Sequence, residues 1–153
     1  MRIYLVRHGE AKSSEEDPDR HLSEKGIRDV QKVAAFLRPL GLHVSAIWHS
    51  GKTRAAETAQ ITGSALLSAQ GVVRRDGLAP NDPIGPVKRD LIDAAPALMI
   101  VGHLPFLSKL ASALVAGDES RHMVAFQEGG VVCLVRSDQG DWGIRWMVVP
   151  ELL

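Results

Sequence analysis

Two uninterrupted apolar segments, residues 3–6 and 97–101, constrain the fold of this 153-residue chain more than any other feature of its sequence. Neither alternates between apolar and polar side chains, which is typical of strands covered on both faces. Segments with helical spacing of apolar residues lie between the strands, and this order predicts an α/β fold. We expect residues 1–153 to form one three-layer sandwich, with helices flanking a mostly parallel central sheet and antiparallel pairing near the C-terminus.

Capping signals and periodicity predict the remaining elements. The predicted helices run from Ser23 to Pro39, over about 51–65 with Ser50 as the N-cap, over 87–95, and from Pro105 to Gly117. The start of the third helix is open, because Pro83 and Pro86 both fit a first-turn position. The predicted strands cover 44–48, 72–74 and a hairpin of 130–135 with 142–148, whose second strand should place Trp142, Ile144, Trp146 and Val148 on one face.

The overall charge excludes some classes of partner. Lys plus Arg and Asp plus Glu number 18 each, so the net charge is zero. Nucleic acids and anionic membranes require a basic face, and we expect neither as a partner. The sequence shows no signal peptide and no apolar run long enough to span a bilayer, which favours a cytoplasmic protein. The single cysteine, Cys133, lies in an apolar segment and is predicted to be a buried thiol.

Basic side chains follow both apolar strands. Arg7 and His8 come after the first strand, and His103 comes after the second. The carboxyl ends of parallel strands meet at one edge of a sheet, where α/β folds bind ligands. Arg54, in the first turn of a predicted helix, can reach the same edge, and Gly9 would let a ligand approach the main chain. Each residue alone also fits an ordinary structural role, but the set together predicts a pocket for a dianionic tetrahedral group.

The motifs around these residues resemble those of the histidine phosphatase superfamily, also called the phosphoglycerate mutase-like family. Its Arg-His-Gly motif appears at residues 7–9, its Arg-Ala-x-(Gln/Glu)-Thr motif at 54–58, and its second histidine at Gly102-His103. The Leu-Thr-x-x-Gly signature appears at residues 22–26 with Ser23 in place of threonine. The chain is most similar to the small SixA-type phosphohistidine phosphatase branch, because Gly102–Pro105 and Arg20 match that branch and there is no room for a cap insertion.

This resemblance implies a mechanism. His8 is implied to be the nucleophile that forms a phosphohistidine, and Arg7, Arg54 and His103 are implied to bind the phosphoryl oxygens. Arg20 is a further candidate for phosphate binding. Ser50 is another, beside its predicted capping role. The resemblance implies no metal and no cofactor, since fixed cationic groups supply the charge that magnesium supplies in many phosphotransferases.

The choice of substrate depends on the proton donor for the leaving group, and the sequence shows no evident one. Relatives that cleave alkyl esters carry a carboxylic acid, in the acid-phosphatase pattern directly after the second histidine, where this chain has Leu104. Glu10, Asp76 and Asp82 are candidate acids by position only. The sequence therefore favours an enzyme that dephosphorylates a protein phosphohistidine, for example on a histidine phosphotransfer or phosphocarrier domain. We also expect a monomer. A small-molecule phosphomonoesterase and a non-catalytic phosphate-binding module are the alternatives.

Overall fold

The computed structural model describes residues 1–92 and 96–153. The strands in chain order are β1 (Arg2–Arg7), β2 (His43–Val44), β3 (Ile47–His49), β4 (Leu67–Ser68), β5 (Val72–Arg74), β6 (Ala97–Gly102), β7 (Val131–Arg136) and β8 (Trp142–Val148). The α-helices are α1 (Glu24–Leu37), α2 (Thr53–Gly63), α3 (Gly85–Ile92) and α4 (Phe106–Ala116), and two short 3₁₀ turns cover Arg38–Leu40 and Pro150–Leu152.

The main sheet has six strands in the order β5-β3-β6-β1-β7-β8. The first four are parallel, and β7 and β8 are antiparallel to their neighbours, which confirms the predicted α/β fold. Strands β1 and β6 are direct neighbours, with Leu5 paired to Ile100 and Arg7 paired to Gly102. Their carboxyl ends therefore lie side by side at the centre of the sheet.

Helices cover both faces of the sheet. On one face Ile3 and Leu5 pack with apolar side chains of α3 and α4. On the other face Tyr4 and Val6 pack with side chains of α1 and α2. Burial on both faces explains why β1 shows no alternation. Cys133 is buried as predicted, and burial raises the pKa of its thiol to about 11. Across the described ranges, the helices are all too short or too polar to cross a membrane.

The N-terminus of α1 is fixed against the end of β1. The predicted cap is confirmed, since Ser23 Oγ accepts a hydrogen bond from the Gly26 amide at 3.0 Å. A Cβ atom on Gly26 would lie 2.1 Å from the Glu10 carbonyl oxygen. Glycine at position 26 is therefore required by close packing, and it lets α1 approach the segment that carries the strand-end histidine.

Three predicted element boundaries are wrong. The strand expected over 44–48 is two strands, because the Ser45 amide and hydroxyl both donate to Ala97 O and β2 pairs with β4 in a separate small sheet. The helix expected from residue 51 begins at Thr53, with Lys52 as its N-cap. The helix expected over 87–95 begins two residues earlier at Gly85, with Pro86 rather than Pro83 in its first turn, and its predicted end at 93–95 lies outside the described residues.

The alternation expected along β8 is also wrong. Cys133 pairs with Trp146 and Leu134 pairs with Ile144, so Arg145 is an extra residue at a β-bulge. A bulge shifts the side-chain pattern by one position. Trp142 consequently packs on the α3–α4 side of the sheet, whereas Trp146 packs on the α1–α2 side.

Candidate active site

The two histidines that follow β1 and β6 lie next to each other at the sheet edge. The ring centroids of His8 and His103 are 5.0 Å apart, and the ring planes are inclined by 51°. The backbone amide of His8 donates to Gly102 O at 3.0 Å, which extends the β1–β6 pairing beyond the last strand residues. Both rings are buried, with 8% of His8 and 1% of His103 exposed. The parallel pairing of two neighbouring strands thus fixes the relative position of the two imidazoles.

Hydrogen bonding determines the tautomer of His8. Its Nδ1 lies 2.7 Å from the Gly9 carbonyl oxygen, and a carbonyl can only accept. The proton of the neutral ring is therefore on Nδ1, and Nε2 has a free lone pair. Burial, together with the cationic side chains of Arg54, Arg7 and Arg20, lowers the pKa of His8 to about 4. At neutral pH the ring is an uncharged base whose Nε2 is available as a nucleophile.

Three arginine side chains, Arg54, Arg7 and Arg20, place positive charge near the His8 ring. Arg7 donates from Nη1 to Phe126 O at 2.9 Å, which fixes its guanidinium beside the histidines. The Nε atoms of Arg7 and Arg54 are buried and have no hydrogen-bond partner among the described residues. Burial and the nearby cation Arg20 lower the pKa of Arg54. Buried cations close together repel one another, and an anion with several acceptor oxygens would both neutralise them and satisfy their donors.

Arg20 lies in the loop before α1 with its side chain held in place. Its backbone has a positive φ of 52°, and its Nε donates to Lys12 O at 3.0 Å. Its charge contributes to the lowered pKa values of both His8 and His103. The structure therefore brings this predicted phosphate-binding residue close to the two histidines.

His103 is more deeply buried than His8. Burial is the main cause that lowers its pKa to about 3, and the neighbouring groups His8, Arg54, Lys52 and Arg20 lower it further. Its Nε2 lies 2.6 Å from Ser50 Oγ, and its Nδ1 is buried without a partner among the described residues. Ser50 is not the N-cap of α2 as predicted, because the helix begins at Thr53 with Lys52 as its N-cap, and the Ser50 hydroxyl contacts His103.

Two residues of the Arg54–Thr58 motif have roles that the sequence analysis missed. Thr58 Oγ1 accepts from the Gly9 amide at 3.0 Å and donates to Arg54 O at 2.7 Å. Glu57 Oε1 accepts from the Leu22 amide at 2.9 Å. Both side chains join α2 to the segments around His8, so they set the position of Arg54 relative to His8. Their place in a shared motif was the only available signal.

Gly9, which the sequence suggested as a point where a ligand approaches the main chain, is closely packed in the structure. A Cβ atom at Gly9 would lie 2.8 Å from Val30 Cγ2 and 3.1 Å from Gly26 O. Its amide is bonded to Thr58, and its carbonyl accepts from His8. Glycine is required here by packing against α1, and the backbone of Gly9 orients the His8 ring.

The three candidate acids are engaged elsewhere or exposed. Glu10 Oε2 accepts from Ser23 Oγ at 2.6 Å, at the start of α1. Asp76 is 93% exposed beside Arg74, and Asp82 Oδ2 accepts from the Ala79 amide within its own loop. No carboxylate is among the groups that shift the pKa values of His8 and His103 in the described part of the chain. Within the described part of the chain, the structure brings no carboxylate to the histidines as an evident proton donor.

Comparison with known proteins agrees with this geometry. Residues 3–79 match the histidine phosphatase superfamily (branch 1). An uncharacterised protein of Picosynechococcus sp. is 36% identical over 141 residues, which cover 88% of this chain and 84% of that protein. The chain therefore belongs to the histidine phosphatase superfamily.

Solved structures share the fold at lower identity. The protein histidine phosphatase SixA complexed with tungstate superposes with a TM-score of 0.85, at 20% identity and 99% coverage of both chains. A phosphoserine phosphatase from Entamoeba histolytica in complex with 3-phosphoglyceric acid superposes with a TM-score of 0.74, at 16% identity and 99% coverage of both chains. The fold is thus similar to that of phosphatases with different substrates.

The buried histidines should titrate far below the ordinary pKa of 6.5. We expect His8 and His103 to stay neutral at pH 5 and to protonate only near pH 4 and pH 3, in a ¹⁵N NMR titration of the ring nitrogens. The unfolded chain takes up these protons near pH 6.5, so acidification below that value should progressively destabilise the fold. Exposed His21 is an internal control, because its hydrogen bond to Asp17 raises its pKa. Protonation of His8 near pH 6.5 would contradict the expected burial effect.

Proposed function

We propose that this protein is a phosphatase that works through a covalent phosphohistidine on His8. The observation that carries the proposal is the state of His8. The ring is buried and neutral, its Nδ1–H is bonded to Gly9 O, and its Nε2 is therefore unprotonated. Nε2 attacks phosphorus, the bond from phosphorus to the leaving group breaks, and water then hydrolyses the phosphohistidine. Splitting the transfer in this way replaces one difficult step by two easier ones.

The surrounding cations stabilise the transferring group in this proposal. Arg7 and Arg54 each have a buried Nε without a partner among the described residues, and both can donate to non-bridging oxygens. His103 supplies a further donor, and Arg20 adds charge at the loop side. Fixed donors that need no rearrangement are the main source of transition-state stabilisation in phosphoryl transfer. We propose that these residues suffice without a metal ion.

The substrate that we propose is a phosphohistidine on a protein, such as a histidine phosphotransfer or phosphocarrier domain. Support comes from the candidate acids, which are engaged away from the histidines. An imidazole leaving group can be protonated from solvent before the P–N bond breaks, so it requires no donor from the enzyme. The resemblance of the fold to SixA is consistent with this substrate class. We also propose that the monomer is active.

A turnover panel tests the proposal. Phosphate release is measured from a phosphohistidine protein domain, from phosphoramidate and from several sugar phosphates at equal concentrations. We expect release from the first two and little from the esters. Release from sugar phosphates at a matching rate would favour the small-molecule phosphomonoesterase, whereas no release from any substrate, with phosphate still bound, would favour a non-catalytic module.

Removing a stabilising group should slow turnover without abolishing it. We expect Arg54→Ala and His103→Ala each to lower kcat by about 10²–10³-fold, the usual effect of losing one preorganised donor. The measurement is phosphate release from phosphoramidate under saturating conditions. Arg28→Ala on the exposed side of α1 serves as the matched control and should retain the parent rate. A rate within a few-fold of the parent would show that the substituted residue is structural.

A further inference from the structure

Ser50 and His103 form a hydrogen bond that links two turns at the sheet edge. Ser50 Oγ, after β3, lies 2.6 Å from His103 Nε2, after β6. A hydroxyl can donate to a bare ring nitrogen or accept from a protonated one, so this distance alone does not place the proton. The Ser50 oxygen has two lone pairs, so the two arrangements differ in whether its hydroxyl proton finds an acceptor.

The Lys52 backbone amide lies 3.3 Å from Ser50 Oγ and can only donate to it. That bond occupies one lone pair of the hydroxyl oxygen. Among the hydrogen-bond partners of Ser50 in the described ranges, His103 Nε2 is then the only acceptor for the hydroxyl proton. When Nε2 accepts, the proton of the neutral imidazole must be on Nδ1, because the bond at one ring nitrogen sets the state of the other.

A phosphoryl group bound next to Nδ1 would favour the same tautomer. Nδ1 of His103 is buried and has no partner among the described residues. A buried donor without a partner is costly, and a phosphoryl oxygen would satisfy it. The opposite tautomer would present a bare lone pair, which repels an anion. Since the ring is neutral at pH 7, its tautomer alone determines whether it can donate to an anion.

We infer that Ser50 is a positioning residue that donates its hydroxyl proton to His103 Nε2 and thereby keeps the His103 proton on Nδ1, aimed at a phosphoryl oxygen. The identity of that acceptor rests on the proposed function, but the tautomer is a property of the protein alone. This role differs from the predicted cap of α2, which is Lys52 instead, and is distinct from the predicted direct contact with phosphate.

The tautomer can be read directly. In protein labelled with ¹⁵N-histidine, long-range ¹H–¹⁵N correlation spectra distinguish a protonated Nδ1 from a protonated Nε2. We expect His103 in the parent protein at pH 7 to be the Nδ1–H tautomer, and the Nδ1 signal to shift when inorganic phosphate is added. An Nε2–H tautomer in the parent would overturn the inference without any variant.

Variants test whether Ser50 causes that state. Ser50→Ala should shift His103 toward the Nε2–H tautomer and lower turnover of phosphoramidate by about 10- to 100-fold, the scale for a residue that orients a functional histidine. Ser50→Thr keeps the hydroxyl and should restore both the Nδ1–H signal and most of the activity. Ser64→Ala removes an exposed hydroxyl that donates to Ile61 O at the end of α2, and should change neither. An unchanged tautomer in Ser50→Ala would overturn the inference.

The two proposals fail separately. If His8→Ala retained phosphatase activity, the proposed function would be wrong, while the spectra of His103 would still report the effect of Ser50. If the tautomer did not depend on Ser50, the covalent mechanism at His8 would be unaffected.

Discussion

His8→Ala is expected to lower turnover by about 10⁴-fold or more, the scale at which enzymes lose activity when a covalent nucleophile is removed. The variant should still bind inorganic phosphate or vanadate, because Arg7, Arg54 and Arg20 keep their charges. The two measurements are phosphate release from phosphoramidate and calorimetric titration with vanadate. Loss of turnover with retained binding separates the chemical role of His8 from the assembly of the pocket.

Two comparisons make this result specific. His43→Ala, at the exposed start of β2, removes an imidazole far from the sheet edge where β1 ends and should retain full activity. His8→Ala must also keep the parent circular dichroism spectrum, since a buried ring is replaced. Turnover by a folded His8→Ala variant at more than a few per cent of the parent rate would exclude His8 as the nucleophile.

The identity of the leaving group should have the second largest effect. We expect phosphohistidine and phosphoramidate to be hydrolysed about 10²–10⁴-fold faster than alkyl phosphates, the range that general acid catalysis usually contributes. The physical reason is that an alkoxide of high pKa leaves poorly without a proton donor, and the structure brings no described carboxylate to the histidines. The measurement compares kcat/KM for phosphoramidate, a phosphohistidine domain and methyl phosphate.

A series of aryl phosphates provides the matching control. Without a general acid, rates should fall steeply as the pKa of the phenol rises, so p-nitrophenyl phosphate should react much faster than phenyl phosphate. A shallow dependence, with alkyl esters cleaved as rapidly as P–N substrates, would reveal an effective proton donor. Glu10→Gln, Asp76→Asn and Asp82→Asn would then identify it by loss of ester hydrolysis alone.

Much of the site was predictable because it depends on strand ends. The unbroken apolar runs before His8 and His103 indicated buried parallel strands, and parallel neighbours must bring their carboxyl ends together. Arg54 was predictable for a similar reason. It lies in the first turn of α2, which begins shortly after the carboxyl end of β3, so it stays near the same edge of the sheet. In these cases the local pattern and the global fold specify the same position.

The errors concern contacts between segments that are distant in sequence. Ser50 is a good N-cap by local preference, but its hydroxyl bonds to His103, 53 positions away. The bulge at Arg145 arises from the pairing of β8 with β7, which the apolar pattern of β8 alone does not indicate. Gly9 suggested backbone freedom, whereas its actual constraint is the side chain of Val30. Tertiary contacts of this kind override local preference and cannot be inferred from spacing.

The most direct test of the account is to trap and locate the phosphoenzyme. The parent protein is mixed with phosphoramidate and quenched rapidly in alkali, in which phosphohistidine survives. One portion is digested for mass spectrometry, and another is kept intact for ³¹P NMR. The account predicts one phosphoryl group per chain on Nε2 of His8, formed before phosphate is released and absent from His8→Ala. A phosphoryl group on another residue, or equal labelling of both proteins, would contradict it.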